Sequence, residues 1–435
     1  MKKADKVICL LFFIHTLNYV MLVSVFTPTH NPEWLPEAFQ SLQKQTYKNW
    51  EWVVLHNTDK KIPQVIVGDS RVKVFTVPVQ ADAGIGAIKK LNCSLCKGDL
   101  LVELDHDDIL TPDCLETLVK TQQETGAGFL YSDFVNFRAD GSCNVYNPYF
   151  GWKNYNYQYE GKNYTAMRSF PPTPDSLSEI YYAPNHVRAW TKEAYDKVGG
   201  HNESFKVVDD FELVVRTYLA EIKFAYIPKV LYLYREHNNT YQEKLDVIRN
   251  LQQEVQNKYV YEMVQLWCKQ NSLHMIDLGG RTGCPKGYTS IDLMEADICH
   301  DLVKDGIPFP DNSVGIVRAF DFLEHVPAGK PVIDMMNEIY RVLAPGGWMI
   351  SRTPSTEGRG AFQDPTHISF WNSNSWWYYT RREQQQYVPA IKCRFQAKRI
   401  WNTFPTNWHK EHDILYVYAD LIAAKGQILA GPMDI

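Results

Sequence analysis

A chain of 435 residues is long enough for two to four domains of roughly 100–200 residues, each with its own buried core. Forty-five basic against fifty acidic residues give a formal charge of −5, which excludes the basic excess that a phosphate-tracking nucleic-acid binder needs. The nine cysteines lack the spacing of a disulfide scaffold, so a reducing, cytoplasmic setting is expected; the 13% of aromatic residues suits either sugar faces or large cores.

At the N-terminus, Lys2, Lys3 and Lys6 precede an apolar run from Val7 to Val23 that has the charge and hydrophobicity of a signal or anchor segment. His15 and Asn18 interrupt it, no small-residue cleavage site follows, and its end falls in a core strand, Leu22 to Thr27. Residues 1–20 therefore read as an extension, with Met21 as an alternative initiator. Association with the inner face of a membrane is not favoured.

From Met21, short β-branched or aromatic runs alternate with amphipathic stretches. VSVFTPT leads to a Pro-opened helix over Pro32 to Gln45, then come WEWVVLH, VKVFTVP, a helix over Gly84 to Cys96, and LLVELDHDD. This rhythm predicts a mostly parallel α/β sheet that binds ligands at the carboxyl ends of its strands. Tyr241 to Lys269 holds no Gly or Pro and sets Leu245, Ile248, Leu251, Val255, Tyr259, Met263 and Leu266 at helical spacing, which predicts a connecting helix. The α/β rhythm then restarts with HMIDLGG, YTSIDL, VGIVRAF, a helix over Ala328 to Val342, and GGWMISRTP. Two Rossmann-like α/β domains are expected, 21–240 and 273–435, joined by a helical linker, 241–272.

The strand Val102 to Leu104 stops in Asp105, Asp107 and Asp108. Carboxylates this close repel one another unless a cation lies among them, and hard oxygen ligands suit Mg²⁺ or Mn²⁺. The alternative is an N-cap cluster for a helix over Pro112 to Gln123. Cys93 and Cys96 lie three apart on a helix with no second ligand pair, and so read as core.

The stretch from Met21 to about Thr240 resembles the family 2 glycosyltransferases with the GT-A fold. VSVFTPTHNPEWLPEAFQSLQKQTYKNWEWVVL is similar to that family's opening strand, helix and second strand, and AGIGAIKKLNCSLCKGDLLVELDHDD to the approach to its acidic metal motif. FKVVDDFELVVR and LYLYREHNNT match its later motifs. The resemblance implies that Asp105 and Asp107, supported by Asp108 and completed by His237, hold Mn²⁺ or Mg²⁺ on a nucleotide-sugar diphosphate. It also places Thr27 in the nucleotide-holding loop, Arg235 near the phosphates, and Asp210, beside Asp209, as the base on the acceptor hydroxyl in an inverting single displacement. A base partly desolvated by acceptor would have its pKa tuned upward; the alternative is that Asp209 caps the helix and Asp210 is solvated. The second strand ends in His-Asn-Thr-Asp where the family commonly has acidic residues, which leaves Asn57 or Asp59 to read the base and keeps UDP, GDP and dTDP sugars open. Tyr149 to Tyr164, with Trp152, Tyr155, Tyr157 and Tyr159, reads as a loop, either an acceptor lid or a packed flap.

From about His274 to Pro405 the chain resembles class I S-adenosylmethionine-dependent methyltransferases, on the pieces MIDLGGRTG, YTSIDL, ADICHDLVKDGIPFPDNSVGIV, FDFLEHV, IYRVLAPGGWMI and DPTHISFW. By that resemblance Asp277, Gly279 and Gly283 line the methionine and ribose end of the cofactor, Asp292 holds the ribose hydroxyls, and Asp297 lies beside the adenine. His325, or His367 with Asp364, is a candidate base, with structural roles as the alternative. Trp371, Trp376 and Trp377 form either a sugar-stacking wall or a hydrophobic subdomain. Together the two resemblances imply an enzyme acting on a saccharide acceptor, its methyltransferase working on the same glycan. The alternatives are a C-terminal domain that binds glycan or partner without catalysis, and a noncatalytic scaffold.

Overall fold

The computed structural model describes residues 20–78, 84–180, 184–237, 245–281, 283–427 and 429–433. The expected anchor run up to residue 19 and the expected helix start at Tyr241 lie outside them. Among the described residues no helix is long and apolar enough to cross a membrane. They pack as two units: 20–146, 152–172 and 184–255 in the first, and 147–151, 173–180 and 256–433 in the second.

The first unit is built on β1 (Val23–Thr29), β2 (Trp50–His56), β3 (Val72–Thr76), β4 (Leu100–Glu103), β5 (Ile109–Leu110), β6 (Phe129–Phe137), β7 (Asn154–Tyr159), β8 (Lys162–Met167), β9 (Arg188–Thr191) and β10 (Phe224–Arg235). They form one sheet in the order β3-β2-β1-β4-β9-β6-β10-β5, with the β7–β8 hairpin attached to β6. β1, β2 and β6 are buried along their whole length, the pattern of strands covered on both faces. β1 runs parallel to β2 and β4, so their carboxyl ends share one edge. Helix α1 (Leu35–Gln43) covers the sheet with Leu35, Ala38, Phe39 and Leu42, and Phe39 stacks on Trp52 at 5.8 Å. Helix α2 (Ile85–Leu95) buries Cys93, and Cys96 just beyond it is buried as well, so both belong to the core. Helix α3 (Cys114–Thr125) starts beyond β5, so the Asp105–Asp108 cluster does not cap it. Helix α4 (Asp209–Leu219) opens with the acidic pair.

The aromatic stretch expected as a loop is the β7–β8 hairpin, its turn made by Glu160 and Gly161 with φ of 47° and 76°. Tyr155, Tyr157 and Tyr159 alternate toward a cluster of Val135, Phe137, Ala166, Val230 and Leu233, and Trp152 is buried against Phe134. Period-2 spacing of the tyrosines was the missed signal.

Helix α5 (Leu245–Gln270) precedes the second unit's strands: β11 (His274–Leu278), β12 (Thr289–Asp292), β13 (Ile298–Cys299), β14 (Val314–Phe320), β15 (Leu343–Pro354), β16 (Phe395–Thr403) and β17 (Tyr416–Ala423). Their order is β13-β12-β11-β14-β15-β17-β16, with β17 antiparallel to both neighbours and the rest parallel. Helix α6 (Lys330–Val342) buries Met335, Met336, Ile339 and Val342 against this sheet. Within the same unit, Asp175 accepts a hydrogen bond from the Ala430 amide at 2.7 Å and pairs with Lys398 Nζ at 2.5 Å.

Candidate functional site

At the carboxyl edge of the first sheet, the loop after β4 is fastened to β10. Asp108 is fully buried; it accepts hydrogen bonds from the Tyr232 hydroxyl at 2.7 Å and the Arg235 amide at 2.7 Å, so it holds the loop in place and offers no free oxygen outward. Asp107 is left at the surface of this lock, and its Oδ2 meets His237 Nε2 at 2.7 Å. Arg235 donates from Nε to the Asp107 carbonyl at 2.8 Å and from Nη2 to Glu37 at 2.5 Å, with its guanidinium 4.4 Å from the Trp34 ring. Asp105, half-buried, has its pKa pushed up to about 6 by burial, an effect that Lys89 opposes.

Behind this edge lies a buried charge network. Glu103, inaccessible in β4, contacts Lys89 of α2 and accepts from Arg188 Nε at 2.9 Å. Arg188 Nη2 donates to Asp210 Oδ2 at 2.7 Å, and Asp210 Oδ1 takes the Phe211 amide at 2.8 Å. Burial opposes ionisation of Asp210, but Arg188 and then Lys89 overcome it and hold the carboxyl below its usual range. Before any acceptor arrives, its cation is already built in. Asp209 is the more buried of the pair, with Lys89 Nζ at 3.9 Å and His201 Nε2 at 3.6 Å, and burial raises it to about 7. Asp209 makes no cap bond, Val208 being the N-cap residue, and Asp210 is held by Arg188 where the alternative had it solvated. Val208 just before it has φ of 70°, a strained value for a β-branched residue.

Thr27 is fully buried, donating to the Leu104 carbonyl at 2.6 Å and accepting from Trp52 Nε1 at 2.8 Å. It braces three strands and cannot also reach a nucleotide. Asn57 closes β2 with a buried Oδ1 that has no partner, an acceptor left over where a base would be read. Sequence reasoning missed Lys89, Glu103, Arg188 and Glu37. Lys89 carried a signal: it shares the buried face of α2 with Gly86, Asn92 and Cys93.

In the second unit, Asp277 ends β11, its Oδ2 2.5 Å from Arg318 Nη1 and its Oδ1 buried without a partner. Burial raises its pKa and Arg318 limits the rise. Gly279 and Gly283 have φ of 72° and 78°; a Cβ on Gly279 would meet the Phe322 ring, whereas one on Gly283 would enter open space. The glycine turn, the orphan oxygen and Asp292 at the end of β12 fit a nucleoside-bearing cofactor. Asp297 Oδ2 takes the amide and hydroxyl of Ser290, each at 2.9 Å, which ties it to the β12–β13 turn. Arg281 pairs with Glu295 at 2.7 Å.

His325, exposed after β14, lies edge-on to His367 with ring centroids 5.1 Å apart. Asp364 Oδ2 stands 4.0 Å from His367 Nε2. Trp371 and Trp376 are buried, packed on each other at 4.7 Å, so they form core and no sugar wall; Trp377 instead lies under Arg381, whose guanidinium is 4.2 Å from its ring. The exposed aromatic pair of this region is Phe362 and Phe370, stacked at 5.2 Å.

Residues 24–172 match the family model for glycosyl transferase family 2, and residues 258–351 match that for a methyltransferase domain. Glycosyltransferase GlyG of Streptococcus pneumoniae serotype 4 is 25% identical over 226 residues, which is 50% of this chain and 72% of that protein. Hyaluronan synthase of Pasteurella multocida is 26% identical over 242 residues, 53% of this chain and 22% of the relative. The chain likewise spans 22% and 16% of two other long relatives. Among solved structures, S. aureus TarS 1-349 is 15% identical with a TM-score of 0.41, covering 57% of this chain and 72% of that one. The chain is thus an enzyme that joins a glycosyl transferase family 2 domain to a methyltransferase domain.

Proposed function

We propose that the first domain moves a sugar from a UDP, GDP or dTDP sugar to a saccharide hydroxyl with inversion, and that the second methylates the same glycan from S-adenosylmethionine. The observation that carries this reading is the meeting of Asp107 and His237 at 2.7 Å, 130 positions apart, at the carboxyl edge of the sheet. Bound Mn²⁺ or Mg²⁺ supplies positive charge for the departing diphosphate. Asp107 and His237 would hold it, with Asp105 from the same strand end. Arg235 fixes the Asp107 backbone, and its residual charge favours phosphate close by. Asp210, kept ionised by Arg188, is ready to take the acceptor proton at neutral pH, and Asp209 positions it through the shared network. Asn57 Oδ1 is the acceptor left for the nucleobase.

In the second domain Asp277, Gly279, Gly283 and Asp292 would hold S-adenosylmethionine, which supplies the methyl group. The eight cysteines among the described residues are all free, which supports action in a reducing compartment. The Arg281–Glu295 pair beside the glycine turn favours a second reading, a domain that binds glycan without catalysis. Donor consumption assayed with UDP, GDP and dTDP sugars, with and without Mn²⁺, tests the first domain. One donor consumed only with metal, and lost in Asp107→Ala, is expected; metal-independent turnover by the variant overturns the reading. S-adenosylhomocysteine raising the melting temperature supports the second activity, and no shift favours the binding module.

A further inference from the structure

Glu324, His325 and His367 each present one ligand atom, and the three atoms lie within 4.8 Å of one another; among the described residues this is the one such group of His, Cys, Asp and Glu side chains. Two segments distant in sequence build it. Glu324 and His325 follow β14, and the Glu324 carbonyl accepts the amides of Ile368 at 2.9 Å and Ser369 at 3.0 Å, which brings His367 alongside. Glu324 is 2% exposed and neither carboxylate oxygen has a hydrogen-bond partner, an arrangement that costs stability unless a cation completes it. The neighbouring Asp321 does not compete, since it pairs with Arg352.

The histidines are oriented as ligands would be. His367 Nδ1 lies 3.1 Å from the Ala361 carbonyl, and His325 Nδ1 lies 3.3 Å from the Thr366 carbonyl. Donation to these carbonyls places the proton on Nδ1 in each ring and leaves Nε2 with its lone pair. We propose that Glu324, His325 and His367 form a divalent-cation site, distinct from the one at Asp107, that takes a first-row ion and offers its open positions to hydroxyl oxygens of the saccharide acceptor. Two imidazoles and one carboxylate suit Mn²⁺, Co²⁺ or Zn²⁺, and three protein ligands leave room for outside oxygens. The place fits: Phe322, two residues before Glu324, lies where a Cβ on Gly279 would touch it, so the segment that carries the site packs on the glycine turn. Exposed Phe362, Ile368 and Phe370 flank the outer side as an apolar platform for a sugar face.

A hydroxyl on the ion loses its proton to solvent more readily. With S-adenosylmethionine bound, that oxygen would form the new C–O bond as the sulfonium sulfur keeps the electron pair of the broken C–S bond. The acceptor role rests on the methyltransferase reading, whereas the ion site does not. The test uses the full chain carrying Asp107→Ala, stripped by chelator and titrated with Co²⁺ followed by visible absorption. One Co²⁺ per chain is expected, with Glu324→Gln and His325→Ala each weakening binding at least about tenfold. Equal affinity in parent and both variants overturns the site; because His325 is exposed, its variant folds. S-adenosylhomocysteine binding is measured on the same proteins by calorimetry. Co²⁺ bound without it keeps the ion site and overturns the methyltransferase reading, and the reverse overturns the ion site alone.

Discussion

Two acidic centres of this chain are built in opposite ways. Around Glu103 and Asp210 the protein supplies its own cations, Lys89 and Arg188, and the carboxylates are held ionised whether or not a ligand is present. Around Glu324 it supplies two imidazoles, the nearby Arg352 being taken by Asp321, and both oxygens are left bare. A built-in cation makes a centre permanent and positions a base; an absent one makes the centre conditional on what binds.

The sharpest way to break this contrast is through the base itself. Asp210→Asn keeps the shape and removes the proton acceptor, and donor turnover is expected to fall about 10²–10⁴-fold, measured by release of nucleoside diphosphate. Arg188→Ala tests permanence: two carboxylates lose their partner, and urea unfolding should show a loss of about 3–5 kcal/mol. A loss under 1 kcal/mol would mean that water already shares the network.

Acid provides the next lever. Burial, reinforced by Arg188 at one ring and Lys89 at the other, lowers His186 and His201 to about 3, so both stay neutral in the fold. The unfolded chain protonates them near pH 6.5. Between those values the unfolded state binds more protons, so stability falls as pH drops below about 6.5. Each histidine contributes up to about 1.4 kcal/mol per pH unit. Denaturant midpoints measured from pH 7.5 to 5 check the sign; a flat profile would overturn the neutral assignment.

The smallest effect is the most discriminating. Glu324→Leu should stabilise the metal-free chain by about 1 kcal/mol by removing buried polar atoms that have no partner, and should lose that advantage once Co²⁺ is added. Destabilisation without metal would show that the carboxylate is already satisfied.

What the sequence made legible follows from the range of each signal. Alternating runs such as VSVFTPT and WEWVVLH gave the parallel strands, and HMIDLGG followed by YTSIDL gave the restart, because hydrophobic period is local. The β7–β8 hairpin was obscured by its polar Asn and Gln, which face outward between the tyrosines. In the site, the motif neighbours of Asp107, His237, Asp210 and Asp277 made them candidates, and the structure brings Asp107 to His237 and Asp210 to Arg188. Thr27 was misread, and the bond between Ser290 and Asp297 went unseen, because pairing to Leu104 and Ser290 is decided by tertiary placement. Lys89 and Arg188 were missed because isolated basic residues in apolar runs have meaning only once the sheet brings Glu103 between them. Glu324 sat unread beside the noticed His325, since burial without a partner leaves no trace in a sequence.

The pairing of Asp175 with Ala430 and Lys398 has a consequence for how the molecule is made. Asp175 leaves the ribosome 255 residues before Ala430, and at about 5–20 residues per second it waits roughly 10–50 s for its partner. During that interval the first sheet can form, while a piece of its own stretch of chain stays reserved for the second. A cut placed in α5, where a linker invites one, would strand Lys398, 4% exposed, without Asp175 or Glu179. Residues 173–180 are thus made with the first domain and pack with the second unit.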